Sequence, residues 1–396
     1  MTTSIIITLT LLLLFAYVFD ITSAKTKIPS VILLLILGWA VKQGTSFFQI
    51  VVPDLSSALP ILGTIGLILI VLEGSLELEL ERSKLRLITQ SSIIALVPMI
   101  LLSMALGYAF HYYGNTSFKI GLANAIPFAI ISSAIAIPSA GYLLKRNKEF
   151  VTYESSLSDI FGVIFFNFIT LNAYIGSKSV GYFLLELLLI LIISFVATIG
   201  LAFLLKRIKH HVKFAPIILL IILIYNVSKI YHLPALIFIL LFGLFIGNLN
   251  ELKHIGFIQK LQPSILNGEV HKFKDLTIEM AFLIRALFFL LFGFLIETKE
   301  ILNTETIFWA LAIVSGIFIF RFVFLKLFRL PTNPLLFIAP RGLITILLFL
   351  SIPLDQMLPI ANKSLIIQVI ILTALMMMFG LMKHTVEPQS DSATKD

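Results

Sequence analysis

Thirteen long apolar runs, centred near residues 12, 35, 66, 99, 131, 163, 193, 221, 241, 287, 315, 343 and 373, occupy most of this chain. A helix needs about 17–25 such residues to cross the hydrocarbon core of a bilayer. Hydrophobic residues make up 59% of the 396 and charged residues only 13%, far more apolar surface than a soluble core can use. The expected fold is therefore an all-α polytopic membrane protein with about 13 transmembrane helices. No cysteine is present, which excludes disulfides and thiolate metal sites.

The connections between the runs test that count. Of the 29 Lys and Arg residues, 20 fall in every other connection or in the C-terminal tail, which carries Lys383 and Lys395. The alternate connections hold one each: Lys42, Lys119, Lys178, Lys229, Lys299 and Lys363. The last three, Arg285, Arg321 and Arg341, lie within apolar segments. An unbroken alternation of this kind follows the positive-inside rule, which puts the N-terminus outside and the C-terminus in the cytoplasm. The net charge of +8 is thus topological, and no nucleic-acid partner is expected. Residues 5–19 followed by Thr22-Ser23-Ala24 have the outline of a signal peptide, but Met1-Thr2-Thr3-Ser4 lacks the positive charge of an n-region, so the segment reads as a retained first helix. The expected location is the cell membrane, of the bacterial inner-membrane type, with many passes.

An odd number of helices suits two inverted six-helix repeats joined by a linking helix, an architecture that places a transport site near the midplane where broken helices meet. The expected division is repeat one over about 1–175, the linking helix over about 181–205, repeat two over about 212–383, and a polar cytoplasmic tail over 384–396. Segments 5 and 12 should then both be interrupted. Segment 5 contains Ile131-Ser132-Ser133-Ala134-Ile135-Ala136-Ile137-Pro138-Ser139-Ala140-Gly141, and segment 12 contains Ala339-Pro340-Arg341-Gly342. Proline removes a backbone donor and glycine tolerates unusual dihedrals, so each stretch can unwind, with Pro138, Pro340, Arg341 and Gly342 at the crossing. The connection over about 250–276 is polar, basic and too short to fold alone.

Segment 6 carries two acids, Glu154 and Asp159. An ionisable group in mid-membrane costs at least roughly 2.5–3.5 kcal/mol and marks an ion or proton pathway by default. Five residues apart, the two point in different directions on an ideal helix and can play different roles. Arg321, in segment 11, offers a cation for one of them, because an unpaired buried charge costs several kcal/mol; the alternative is that it snorkels to the inner interface, where Lys326 and Arg329 follow closely.

Glu154-Ser155-Ser156-Leu157-Ser158-Asp159 resembles the Glu-Ser-x-x-Asn-Asp signature of the sodium/proton exchanger branch of the monovalent cation:proton antiporter superfamily. Arg321 is similar to the arginine that pairs with the signature Glu there. Pro340-Arg341-Gly342-Leu343 resembles the family's Gly-Leu-Arg-Gly segment, and Leu287-Phe288-Phe289-Leu290-Leu291-Phe292-Gly293 its tenth helix. Two positions depart from the pattern. The signature Asn is Ser158, and the family's Thr-Asp-Pro aligns with Ser132-Ser133-Ala134, which is more like the Ser-Ser-Thr-Ala of the potassium-efflux branch. The resemblance implies a homodimer in which helices 1–3 and 8–10 form the scaffold and helices 4–6 and 11–13 the moving core.

The expected function is secondary antiport of a monovalent cation, Na⁺ foremost, for H⁺ by alternating access, electroneutral, in the service of pH homeostasis. Asp159 would be the ligand of the transported Na⁺ or K⁺ (Li⁺ being a further substrate) and would bind cation or proton, never both. Ser158, Ser132, Ser133 and unwound carbonyls would complete the coordination, with Glu154 and Arg321 a structural ion pair. The alternatives are a potassium/proton antiporter or potassium-efflux protein, a sodium-coupled organic-anion symporter, and an intramembrane transferase, which lacks a histidine beside its acids. No enzyme activity and no cofactor are expected. Arg285 is open to pairing with Glu279 or Glu186, or to a place at the dimer interface. Glu73, Glu77, Glu79 and Glu81 read as a solvated rim at the cytoplasmic end of segment 3, and His210 and His211 as surface residues.

Overall fold

The computed structural model describes residues 2–383 apart from 51, 79–80, 142, 173–175, 209, 211, 232, 250 and 252–262. All regular structure among the described residues is helical. In chain order the helices are α1 (Thr2–Thr26), α2 (Ser30–Phe47), α3 (Ala58–Glu77), α4 (Leu85–Gly114), α5 (Phe118–Ala129), α6 (Ser133–Ser139), α7 (Lys145–Leu171) and α8 (Ser177–Arg207). They continue with α9 (Phe214–Ile230), α10 (Leu236–Gly247), α11 (Pro263–Leu295), α12 (Thr298–Ile301), α13 (Thr304–Leu327), α14 (Leu343–Leu350) and α15 (Lys363–Lys383).

Among the described residues, ten helical segments are long and apolar enough to cross a membrane, counting α5 and α6 as one, fewer than the thirteen apolar runs of the sequence. The other three runs form the shorter apolar helices α9 and α10 and a broken element. That element consists of a 3-10 turn at Leu335–Phe337, an extended stretch and α14. Exposed apolar side chains on α1, α8 and α13, such as Leu14, Leu188, Phe195 and Ile319, would be costly in water. They suit the hydrocarbon of a bilayer, and the protein is a multi-pass membrane protein.

Packing sorts the helices into two groups. In one, α3 packs on α10 and α11, and α2 packs on α11; in the other, α4 packs on α5 and α7, and α13 on α15 and α4. The seam between them is formed mainly by α3, which touches α6, α7 and α14. Within the first group α2 and α11 meet at backbone level. A Cβ on Gly293 would fall on the main chain of Leu35, and one on Gly38 would lie 2.8 Å from the N of Phe294. Glycine is the residue that permits this approach, as small residues do between membrane helices generally.

Two expectations need correction. The connection expected over about 250–276 ends earlier, since α11 already begins at Pro263 and runs unbroken to Leu295. Pro138 does not mark the break in segment 5. It sits in the last turn of α6, while the chain unwinds earlier, at residues 130–132, soon after Pro127 inside α5. Proline is tolerated at Pro138 because the helix ends there in any case, and Pro127 is the one that weakens the turn before the break. The tail 384–396 lies outside the described residues.

Candidate functional site

Two extended strands of chain cross at the centre of the second helix group. One is Ile130–Ser132, between α5 and α6; the other is residues 338–342, between the 3-10 turn and α14. Unwinding strands backbone groups that a membrane interior cannot hydrate, so each must find a protein partner. The N–H of Ile131 donates to Ser158 Oγ at 3.0 Å. The N–H of Ser132 donates to the carbonyl of Pro340 at 2.9 Å, joining the two breaks directly. The N–H of Ser133 donates to Asp159 Oδ2 at 3.3 Å. On the acceptor side, Arg341 donates from Nε to Phe128 O at 2.7 Å, from one terminal nitrogen to Ala339 O at 2.7 Å and from the other to Ala129 O at 3.1 Å. Its own N–H donates to Thr373 Oγ1 at 3.1 Å. Arg341 is fully buried and makes no ion pair among the described residues. Three of its five fixed donors serve carbonyls that the breaks leave open.

Gly342 follows in the second strand. A Cβ there would stand 3.0 Å from Ser132 Oγ and closer still to Ile135, so glycine is required by proximity rather than by its dihedrals.

The long helix α7 runs past this crossing and carries the acids. Asp159 is buried and its Oδ2 accepts both the N–H and the hydroxyl of Ser133. Among the described residues its Oδ1 has no hydrogen-bond partner, and neither has Ser132 Oγ nor Thr345 Oγ1 of α14. Buried oxygens without donors are uncommon and ask for an explanation; acceptor-rich oxygen is what a hard monovalent cation coordinates.

Glu154 lies on another side of α7 and is equally buried. Arg321 of α13 grips it in a bidentate pair, 2.5 Å to Oε1 and 2.9 Å to Oε2, and donates from Nε to Leu335 O at 2.7 Å. The arginine thus ties α7, α13 and the 3-10 turn together, with the fork geometry that favours Arg over Lys. Ser158 is close to the crossing but holds the Ile131 N–H. Its hydroxyl helps organise the break, and the oxygen keeps a second lone pair.

The model of the sodium/hydrogen exchanger, transmembrane, matches residues 9–386. The chain belongs to the sodium/hydrogen exchanger family. In fold this exchanger resembles the sodium proton antiporter MjNhaP1 of Methanocaldococcus jannaschii. Against the structure of that protein at pH 8 the identity is 19%, 96% of each chain is covered and the TM-score is 0.65. Against its electron-microscopy structure the identity is again 19%, with 96% of this chain and 95% of that one covered and a TM-score of 0.66. At that identity the likeness is one of fold. Comparison with curated protein sequences gives no match. The family is one of transporters, and the potassium alternative raised by Ser132-Ser133-Ala134 is not favoured.

Several residues of the exchanger stand differently from their sequence reading. Arg285 meets Glu73 at 3.9 Å and neither Glu279 nor Glu186. Glu73 is correspondingly not a solvated rim residue, since only 13% of its side chain is exposed, and Glu77 lies 3.7 Å from Lys274. Glu81 is exposed, and Glu79 lies outside the described residues. His210 is exposed and His211 lies outside the described residues. Thr345 was missed because a lone threonine in an apolar run carries no signal of its own. Ser156, in contrast, was inside the signature already quoted; its unpartnered Oγ faces Gly74 of α3.

Proposed function

We propose that the protein exchanges Na⁺ for H⁺ by alternating access, with Asp159 as the carrier of either ion. The observation that carries this reading is Oδ1 of Asp159, buried at the crossing of two broken helices with no hydrogen-bond partner among the described residues; Ser132 Oγ, one residue before the Ser133 that holds Oδ2, is likewise unpartnered there. Ser133 holds the other carboxylate oxygen in place, so the free oxygen is presented in one orientation. A cation and a proton compete for that oxygen, because a nearby positive charge favours the ionised carboxylate and burial the neutral one. Glu154, neutralised by Arg321, keeps the site at one exchangeable charge, and the exchange is electroneutral. Li⁺ is a second substrate.

The orientation proposed is N-terminus outside and C-terminus cytoplasmic, from the alternation of basic connections, in the cell membrane. The group containing α4–α7 and α13–α15 is the moving core. The group containing α1–α3 and α8–α11 is the scaffold of a homodimer, and α3 is the surface along which the two shift.

Proteoliposomes holding a trapped pH-sensitive dye test the reading. Addition of Na⁺ or Li⁺ should move protons, and addition of K⁺ should not. A response to none of the three would overturn it.

A further inference from the structure

A cavity of about 270 Å³ lies between α3, α9 and α10 on one side and α7 and α14 on the other, that is, on the seam between scaffold and core. Val163, Phe166 and Thr170 of α7 line it. At about 100° per residue these positions continue the face of α7 that bears Asp159, and Val163 is about 6 Å from it along the helix axis. On α14 the lining begins at Ile344, just past Gly342. The cavity's wall therefore comes to about one helical turn from Asp159 along α7 and two residues from Gly342, without including either.

Among the described residues the wall of this cavity contains no acid, and Lys229 is the one charged residue there. Lys229 is exposed at the end of α9 and makes no ion pair with a described residue. Among the other described lysines of the same set of connections, Lys42 and Lys119 likewise make no ion pair with a described residue, while two do. Lys299 stands 2.7 Å from Glu297 and Lys363 3.0 Å from Glu300. A path for cations would gain from acids at its mouth, as clefts lined by one sign of charge concentrate the opposite ion. Here the sign is reversed.

We propose that Lys229 is an access-determining residue, an uncompensated ammonium at the extracellular mouth of the path to Asp159 that lowers cation occupancy from that side. It would favour release of Na⁺ outward over its recapture. The inference rests on Asp159 as the ion carrier and on the orientation stated above. A lysine at a helix C-terminus also complements the helix dipole, so the test must separate charge at the mouth from a structural role.

The test uses the full chain in right-side-out and everted membrane vesicles, with initial rates of Na⁺-driven proton flux at alkaline pH, where protons compete least. Lys229→Gln should lower the KM for Na⁺ presented at the extracellular face by about three- to tenfold, a modest share of what focused fields can do because the side chain is exposed. The KM at the cytoplasmic face and kcat should stay as in the wild type. Lys229→Glu should lower the extracellular KM further, and Lys229→Arg should keep the wild-type value. Raising ionic strength with choline chloride should shrink the difference between the variants, since exposed charges are screened over about 10 Å at 0.1 M. An unchanged extracellular KM in Lys229→Gln and Lys229→Glu would overturn the proposal. So would a change confined to the cytoplasmic face, or Lys229→Arg behaving as Lys229→Gln. Absence of Na⁺-driven flux in the wild type would instead overturn the exchange reading itself.

Discussion

Ser133 donates both its backbone N–H and its hydroxyl to one carboxylate oxygen of Asp159, leaving the other oxygen without a donor. The same residue thus begins α6 after the break and orients the acid. Oxygen Oδ2 is a structural acceptor and Oδ1 is the one open to a cation or proton.

Asp159→Asn should abolish exchange and leave the protein folded. The amide keeps an oxygen for Ser133 but cannot release a proton. Removing a titrating acid from a dry site also removes a burial cost, so thermal unfolding in detergent should occur at the same or a higher temperature. Na⁺-dependent proton flux surviving in this variant would take Asp159 out of the mechanism.

Glu154→Gln and Arg321→Ala should act mainly on stability, each by about 3–5 kcal/mol, the usual cost of breaking a buried ion pair by removing one partner. The double variant Glu154→Gln/Arg321→Gln should recover part of the loss. Strictly additive losses in thermal or denaturant unfolding would show that the bidentate contact contributes nothing.

Ser158→Ala should cost about 1–3 kcal/mol, the penalty of leaving the buried Ile131 N–H without an acceptor. Ser158→Asn, which restores an acceptor, should recover most of it. A large rise in the KM for Na⁺ in a Ser158→Ala protein of undiminished stability would show that Ser158 acts as a cation ligand rather than only as the acceptor at the break.

Gly293→Ala should destabilise by about 1–3 kcal/mol, because the added methyl must displace the backbone of α2 rather than a side chain. The contact lies between α2 and α11, away from Asp159, so the fraction that folds should keep the wild-type KM. A stable variant with an altered KM would place this contact in the transport cycle.

One proton exchanged for one Na⁺ moves no net charge. Each uncompensated charge would feel about 2.3 kcal/mol per 100 mV of membrane potential. A potassium/valinomycin potential imposed on proteoliposomes, after K⁺ is shown not to be a substrate, should therefore leave Na⁺-driven proton flux unchanged. Acceleration by either sign of potential would require a second titrating group.

The apolar runs and the alternation of Lys and Arg between them were enough to read a many-spanning helical membrane protein, since both express the same local rule of what hydrocarbon accepts. Glu154 and Asp159 stood out for the same reason, as charges in a segment that has no solvent for them. The resemblance in the Glu-Ser-x-x-Asn-Asp region pointed to the exchanger family, and the match over residues 9–386 establishes it.

Tertiary structure decided the rest. Pro138 has the stronger local signature of a break, yet the chain unwinds at residues 130–132, where Ser158, Pro340 and Asp159 are in place to receive the freed N–H groups. Ser158 reads from the sequence as a cation ligand, and only the fold adds that it accepts the Ile131 N–H. Glu73 and Arg285 read as a rim acid and an unassigned cation until α3 and α11 pack side by side. In each case the partner comes from a helix remote in sequence. Periodicity and propensity report how a residue suits its own helix. The cost of an unmet backbone group or charge in a dry interior is settled only by what a distant segment brings to it.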